Sequence, residues 1–201
     1  MKDRLPFVFG VAVNKQGIFQ ILKARKIKGR TLIFRNVEVT DAEFILSLRT
    51  DAKKSKYLME TSPEVRRQIN WLEDYAGKTD QAYFIIENKE GSSLGTVRIY
   101  DAKQDSFCWG SWILKDEAPK SAAIESALMV YSYAIDYLGF KKAHLDIRKG
   151  NEKVVRFHEG FGAVRVGETD IDYLYEIELE KISEIRNKAK MYLPDSVIVE
   201  R

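Results

Sequence analysis

The chain has 201 residues, 45% hydrophobic and 31% charged, which is enough apolar material for one sizeable core and unlike the composition of a disordered polymer. Its 33 basic and 30 acidic side chains leave a formal net charge of +3, too small for a surface that must neutralise many phosphates together, so a nucleic-acid partner is not expected. One cysteine, Cys108, and two histidines, His144 and His158, allow no internal disulfide and no metal-ligand spacing; no metal is expected, and a reducing, cytoplasmic setting is.

In chain order, residues 1–13 carry a short apolar run, LPFVFGVAV, with no small-residue cleavage site and well short of the ~20 residues that span a bilayer. No membrane association is expected. The first thirty residues are read as an extension of added strands, and their apolar stretch needs cover from the core or from a second subunit, which leaves a homodimer open. Residues 31–39 read as a strand. Thr40 with Glu43 has the spacing of a capping box that opens a helix carrying Phe44, Ile45, Leu48 and later Leu58. Ser62 and Pro63 mark a second helix start, with Val65, Ile69, Leu72 and Tyr75 on one face and Gly77 beyond it. Three strand-like runs follow, 82–87, 94–100 and 107–114, with separators short enough for a hairpin meander.

Residues 119–138 form the strongest helical pattern, since Ile124, Ala127, Leu128, Tyr131, Ala134, Ile135 and Leu138 keep one apolar face and Gly139 supplies a stop. A strand at 143–148, a helix at 151–160 and a last strand at 173–179 complete the order βαα, βββ, αβαβ. Residues 181–193 look helical. The natural solution is an α/β (α+β) fold, a mixed, mostly antiparallel sheet flanked by helices, with a parallel crossover where the 119–138 helix joins two strands.

The stretch Asn151 to Ala163, NEKVVRFHEGFGA, is the most informative. Asn151 suits a helix N-cap, Val154 and Phe157 recur at helical spacing, and Gly160 and Gly162 offer the positive φ that stops a helix. Asn151, Val154, Phe157, His158, Glu159, Gly162 and Ala163 resemble the helix-four signature of the GNAT acetyltransferases, with His158 where that family commonly has tyrosine and Ala163 where it has phenylalanine. The element order resembles the same fold over residues 31–180, leaving 1–30 and a tail, 181–201, outside it. The resemblance implies a V-shaped opening between the strand ending near Leu114 and the strand at 143–148. It also implies acetyl-coenzyme A as co-substrate, with the pantetheine arm along Trp112, Ile113 and Leu114. The diphosphate would rest on Pro119, Lys120, Ser121, Ala122 and Ala123, and Asn151 would stand nearby. The family loop Q/RxxGxG/A is altered here to Ala118, Pro119, Lys120, Ser121, Ala122, Ala123, but main-chain N–H groups beside small side chains still suit a diphosphate.

A GNAT-like reaction is direct attack of an amine on the thioester. An ammonium with a pKa near ~10 must first lose a proton, and the departing thiolate benefits from an acid. Asn151, Val154 and His158 share one helical stripe, so His158 is the candidate acid, its other reading being a packed histidine. For the base, strand alternation sends His144, Asp146 and Arg148 to one face, and Glu60 follows the first helix; Asp146, His144, Glu60 or a relayed water remain open. The acceptor region offers Trp71, Tyr83 and Tyr100 beside Arg66, Arg67 and Arg98. The segment YLMETSPEVRRQINWLEDY resembles GNAT enzymes that acetylate nucleotide-linked amino sugars and those that acetylate ribosomal-protein N-termini. A small-molecule amine, an amino-sugar nucleotide first, is the expected partner. A peptide N-terminus and a non-catalytic binding module are the alternatives.

Overall fold

The computed structural model describes residues 11–13 and 19–201. Its elements run β1 (Val11–Val13), β2 (Phe19–Ile21), β3 (Lys26–Lys28), β4 (Leu32–Asn36), α1 (Ala42–Arg49), α2 (Val65–Gly77), β5 (Ala82–Asn88), β6 (Ser93–Lys103) and β7 (Ser106–Leu114). They continue with α3 (Ala122–Tyr131), β8 (Lys142–Arg148), α4 (Glu152–Gly160), β9 (Val164–Glu168), β10 (Asp172–Glu178), α5 (Leu179–Lys188) and β11 (Ile198–Glu200). β1 and β2 form a hairpin of their own, and the nine other strands make one sheet in the order β11-β3-β4-β5-β6-β7-β8-β10-β9. Every neighbouring pair is antiparallel except β7 with β8. This is the mixed, mostly antiparallel sheet flanked by helices that the element order implies.

Burial separates the two faces. One face carries Phe34, Phe84, Val97, Ile99, Phe107 and Trp109 and packs on Leu128, Tyr131, Tyr133 and Leu138 of the helical layer begun by α3. The other carries Tyr83 and Ile85 and packs on Ile45 of α1 with Leu72 and Tyr75 of α2. Glu125 of α3 is buried and accepts from the Thr31 N–H at 2.6 Å, the Leu32 N–H at 3.0 Å and the Thr31 hydroxyl, fixing the helix to the β3–β4 turn. Arg35 ties β4 to the start of the helical layer, with 2.9 Å to Asp41 and 2.8 Å to Glu87.

Several sequence expectations change in the structure. α1 opens on Asp41 rather than on a Thr40–Glu43 pair; the capping box forms one turn earlier, between Glu38 and Asp41 around a 3-10 turn at Val39–Asp41, where the Asp41 carboxylate takes the Glu38 N–H at 2.7 Å. It ends at Arg49 and does not reach Leu58, because the Asp51 side chain accepts from the N–H groups of Lys53 (2.9 Å) and Lys54 (3.1 Å) and turns the chain. The 119–138 helix begins at Ala122 and passes at Ser132–Tyr137 into a π-helical stretch. Asn151 does precede α4, but its side chain makes no bond to the helix, and positive φ occurs at Gly162 (82°) and not at Gly160. β9 is an edge strand with Val164 and Val166 exposed, so no buried alternation marks it in the sequence. β3 and β11, of three residues each, fall in segments assigned to the extension and the tail. Part of the apolar run in the first thirteen residues lies outside the described residues.

Candidate active site

β7 and β8 are in register only at Ser106↔Lys142, Phe107↔Ala143 and Cys108↔His144. Beyond that pair β7 stays on β6 as far as Leu114 and β8 stays on β10 as far as Arg148, so the two parallel strands separate into the V-shaped gap implied above. The gap has a local cause. The β6–β7 register slips between Thr96↔Ile113 and Arg98↔Gly110, Ser111 takes a left-handed φ of 45°, and its carbonyl accepts from the Thr96 hydroxyl at 2.8 Å. Such a bulge bends its strand and stops the next one from pairing. Each lip is then a strand with one unpartnered edge, which an extended ligand can join through main-chain hydrogen bonds.

Residues 115–121 lead from the end of β7 to α3 at the mouth of this gap. The Ala122 N–H donates to the Pro119 carbonyl at 2.8 Å and the Glu125 N–H to Ser121 at 2.9 Å. The rest of the first turn presents donors outward, as helix starts do, beside small Ser121, Ala122 and Ala123 and exposed Lys120. Ile113 is buried, and the Trp112 indole donates to Ser126 Oγ at 3.1 Å while stacking against Phe157 with ring centres 4.9 Å apart. Asn151 sits on the other lip, directly after β8, its carbonyl accepting from Val154 and Val155 at 3.0 Å. The residues that the resemblance assigns to a coenzyme thus lie at the end of β7, at the start of α3 and directly after β8.

A cavity of about 720 Å³ opens over the gap on the α1/α2 side. Its walls are Arg49 of α1, Tyr57 to Ser62 of the following loop, Arg67, Gln68 and Trp71 of α2, and Asp172 of β10. Its floor is Tyr83, Arg98, Tyr100, Trp109, Gly110, Ser111, Asp146 and Arg148. Register explains the floor. Tyr83 pairs with Arg98 and Arg98 with Gly110, so those positions face one way, and Tyr100, Cys108, His144 and Asp146 follow by alternation. Burial first, then the neighbouring Cys108 and Asp146, pushes the Tyr100 phenol above its ordinary range.

Among the candidate bases, Asp146 and Glu60 both line the cavity, Asp146 on the β8 lip and Glu60 on the outer loop. His144 does not. Its Nδ1 lies 2.7 Å from the Ser106 hydroxyl and its Nε2 3.1 Å from Asp101, so both ring nitrogens are occupied. The acid expected at His158 is buried. His158 is 5% exposed, with its ring 5.2 Å from Trp109 and 5.5 Å from Phe157, and burial pushes its pKa down to about 4. The ring packs between β7 and α4, with its Nδ1 buried and without a partner among the described residues. Burial outweighs the preference of a helix C-terminus for a cation. Cys108 is equally unsuited to nucleophilic work, because burial pushes its thiol up to about 11. Of the aromatic and basic residues singled out in the sequence, Trp71, Tyr83, Tyr100, Arg67 and Arg98 line the cavity and Arg66 does not. Arg49, Gln68, Ser111 and Asp172 carried no sequence signal of their own.

The family model described as an acetyltransferase (GNAT) domain matches residues 31–164. Among solved structures, FdhC in its apo form, described as a nucleotide-linked sugar GNAT, is similar at 37% identity and a TM-score of 0.76, covering 84% of this chain and 98% of that one. A spermidine N-acetyltransferase from Vibrio cholerae, in complex with CoA and spermine, is similar at 20% identity and a TM-score of 0.64 over 76% of this chain and 98% of that one. An acetyltransferase from T. thermophilus is similar at 16% identity and a TM-score of 0.69 over 83% and 95%. The latter two share the fold alone. A comparison with curated proteins finds no match. Among the described residues no helix is long and apolar enough to cross a membrane, and no cluster of three or more His, Cys, Asp or Glu could hold a metal ion.

Proposed function

Because this chain belongs to the GNAT acetyltransferase family and is an acyltransferase, we propose that it acetylates the primary amine of a nucleotide-linked sugar. The observation that carries this is the charge of the cavity over the β7–β8 gap. Four arginines, Arg49, Arg67, Arg98 and Arg148, line it against three carboxylates, Glu60, Asp146 and Asp172. Arg67 is paired with Glu64 at 3.1 Å and Arg148 with Asp172 at 3.4 Å, whereas among the described residues Arg49 and Arg98 have no carboxylate within ion-pair distance. Two like charges 4 Å apart repel by about 4 kcal/mol at an effective dielectric constant of ~20, so a polyamine is a poor occupant and an anionic acceptor a good one. The similarity to a nucleotide-linked sugar GNAT points the same way.

The coenzyme supplies the acetyl group as a thioester. The free edges at Trp112, Ile113 and Leu114 hold its extended arm, the N–H groups of Lys120, Ser121, Ala122 and Ala123 hold its diphosphate, and Asn151 closes the opposite lip. Asp146 stands on the β8 lip where gap and cavity meet and takes the proton from the acceptor's ammonium group, leaving the amine lone pair free to attack the thioester carbonyl; the amide C–N bond forms as the C–S bond breaks, and the departing thiolate takes up the second proton shed by the nitrogen. Glu60, on the far wall, helps to hold the acceptor. Free-thiol release with acetyl-coenzyme A decides between acceptors. Turnover with a nucleotide-linked amino sugar, and none with spermidine or an N-terminal peptide, is expected. Turnover with either of the latter and none with the sugar overturns the reading.

A further inference from the structure

Three residues of the cavity floor carry a buried donor with no partner among the described residues, Tyr83, Arg98 and Trp109, and of these the Trp109 ring packs into the core on the opposite face of the sheet. Tyr83 of β5 is 3% exposed and its hydroxyl, beside a Thr96 hydroxyl that itself donates to the Ser111 carbonyl, has no partner in hydrogen-bond geometry, and on β6 the Nε of Arg98 is likewise buried and unpaired. The two residues are direct partners across the strands. A buried donor without an acceptor is costly, and native structures rarely leave two side by side. The Arg98 guanidinium is held in place by aromatic faces, 4.4 Å from the centre of the Tyr100 ring and 5.9 Å from that of Trp71. Arg49 approaches from the wall, its own Nε already engaged by the Thr61 hydroxyl at 2.9 Å, so one edge of its guanidinium is spent on positioning.

We propose that Arg98 and Tyr83, with Arg49 beside them, form an anion subsite that binds the diphosphate of the acceptor. Guanidinium and phenol here offer N–H and O–H donors, and only the phenol oxygen can accept, so a nucleobase or a sugar hydroxyl would leave much of this floor unmatched. A diphosphate supplies several charged oxygens to two planar forks, the geometry in which arginine binds phosphate best. The subsite also sets direction. Diphosphate over β5 and β6 leaves the sugar to extend toward Gly110 and Asp146, where β7 and β8 part and the acetyl group is delivered. This inference rests on the acceptor class proposed above.

Calorimetry on the full chain saturated with coenzyme A tests it, because saturation blocks the coenzyme's own diphosphate position. The probes are dTDP and UDP, which lack the amino sugar on the terminal phosphate, and inorganic pyrophosphate. Wild type is expected to bind a nucleoside diphosphate saturably. Arg98→Gln should weaken that binding at least tenfold, and Tyr83→Phe and Arg49→Gln each by roughly threefold to tenfold, with coenzyme A affinity unchanged. Arg66→Gln, outside the cavity, should change nothing. In turnover, Arg98→Gln should raise the acceptor KM more than it lowers kcat. An Arg98→Gln protein with wild-type melting behaviour and undiminished nucleoside-diphosphate affinity overturns the subsite, even if amino-sugar turnover stands; should Arg98→Gln not fold, undiminished affinity in both Tyr83→Phe and Arg49→Gln overturns it equally. Arg98-dependent binding in a protein that acetylates no nucleotide-linked amino sugar keeps the subsite and overturns the acceptor class.

Discussion

The hydroxyl of Tyr100 lies over Gly110, so close that a methyl group on Gly110 would come within 2.9 Å of it. Gly110 is the β7 residue paired with Arg98, just before the bulge at Ser111, and both Tyr100 and Gly110 belong to the cavity floor. The absence of a side chain at 110 therefore lets a phenol lie across the strand where the acceptor's reacting end is proposed to sit. Gly110→Ala should displace the ring and lower kcat/KM for the acceptor by about tenfold, since small misplacements of a reacting pair are costly. Tyr100→Phe in the same chain removes the clashing oxygen and should recover most of the loss. Equal activity of Gly110→Ala and wild type would show that the ring moves freely.

Asp146→Asn keeps the shape of the β8 lip but removes its proton acceptor. At pH 7 kcat should fall by roughly 10²-fold or more, the range general-base catalysis usually contributes. The deficit should shrink as pH rises toward the amine's own pKa, where the acceptor loses its proton without help. A pH–rate profile of the variant checks both statements. Wild-type kcat at pH 7 would move the base to Glu60 or to water.

His158 makes stability depend on pH in a defined direction. Its folded pKa of about 4 lies below the ordinary histidine value of 6.5, so below pH 6.5 the unfolded chain takes up a proton that the folded one refuses. The stability associated with the neutral ring is complete above pH 6.5 and is lost as pH falls from 6.5 through 4, by about 3 kcal/mol at most. Urea unfolding at pH 7 and pH 5 should show a smaller loss for His158→Phe than for wild type. Parallel losses would place the proton elsewhere.

Glu125 should matter for folding far from any chemistry. It is 1% exposed and receives the Thr31 and Leu32 N–H groups, so Glu125→Ala strands buried donors at the edge of α3. A loss of about 3 kcal/mol or more is expected, with Glu125→Gln losing less because its amide still offers one acceptor. Denaturant midpoints at unchanged slope measure it. An alanine variant as stable as wild type would mean that water replaces the carboxylate.

Patterns confined to a few consecutive residues were readable in advance. The strand-like runs at 82–87, 94–100 and 107–114 and the apolar stripe of 119–138 are local, and each matches an element whose ends differ by a few residues. Local competition explains most of the boundary differences, as when the Asp51 side chain turns the chain before Leu58 can join α1. The strands that escaped notice are those whose pairing partner is remote, β3 with β11 above all, or whose faces are exposed, as in β9.

The sequence determined the family through the Asn151 to Ala163 stretch and the order of the principal elements, and the resemblance it carries implied the two lips of the gap, because a strand followed by a helix start with small side chains is written in consecutive positions. Tertiary structure alone decided what each side chain could do. The sequence offers His158 as the acid and Asp146 as one of several bases, yet the first is enclosed by Trp109 and Phe157 while the second faces the cavity. Arg98 and Tyr83 became a pair only when β5 and β6 came into register. The reason is that protonation state and donor pairing depend on burial and on neighbours distant in sequence, quantities set by how strands align and helices cover them rather than by any single residue type.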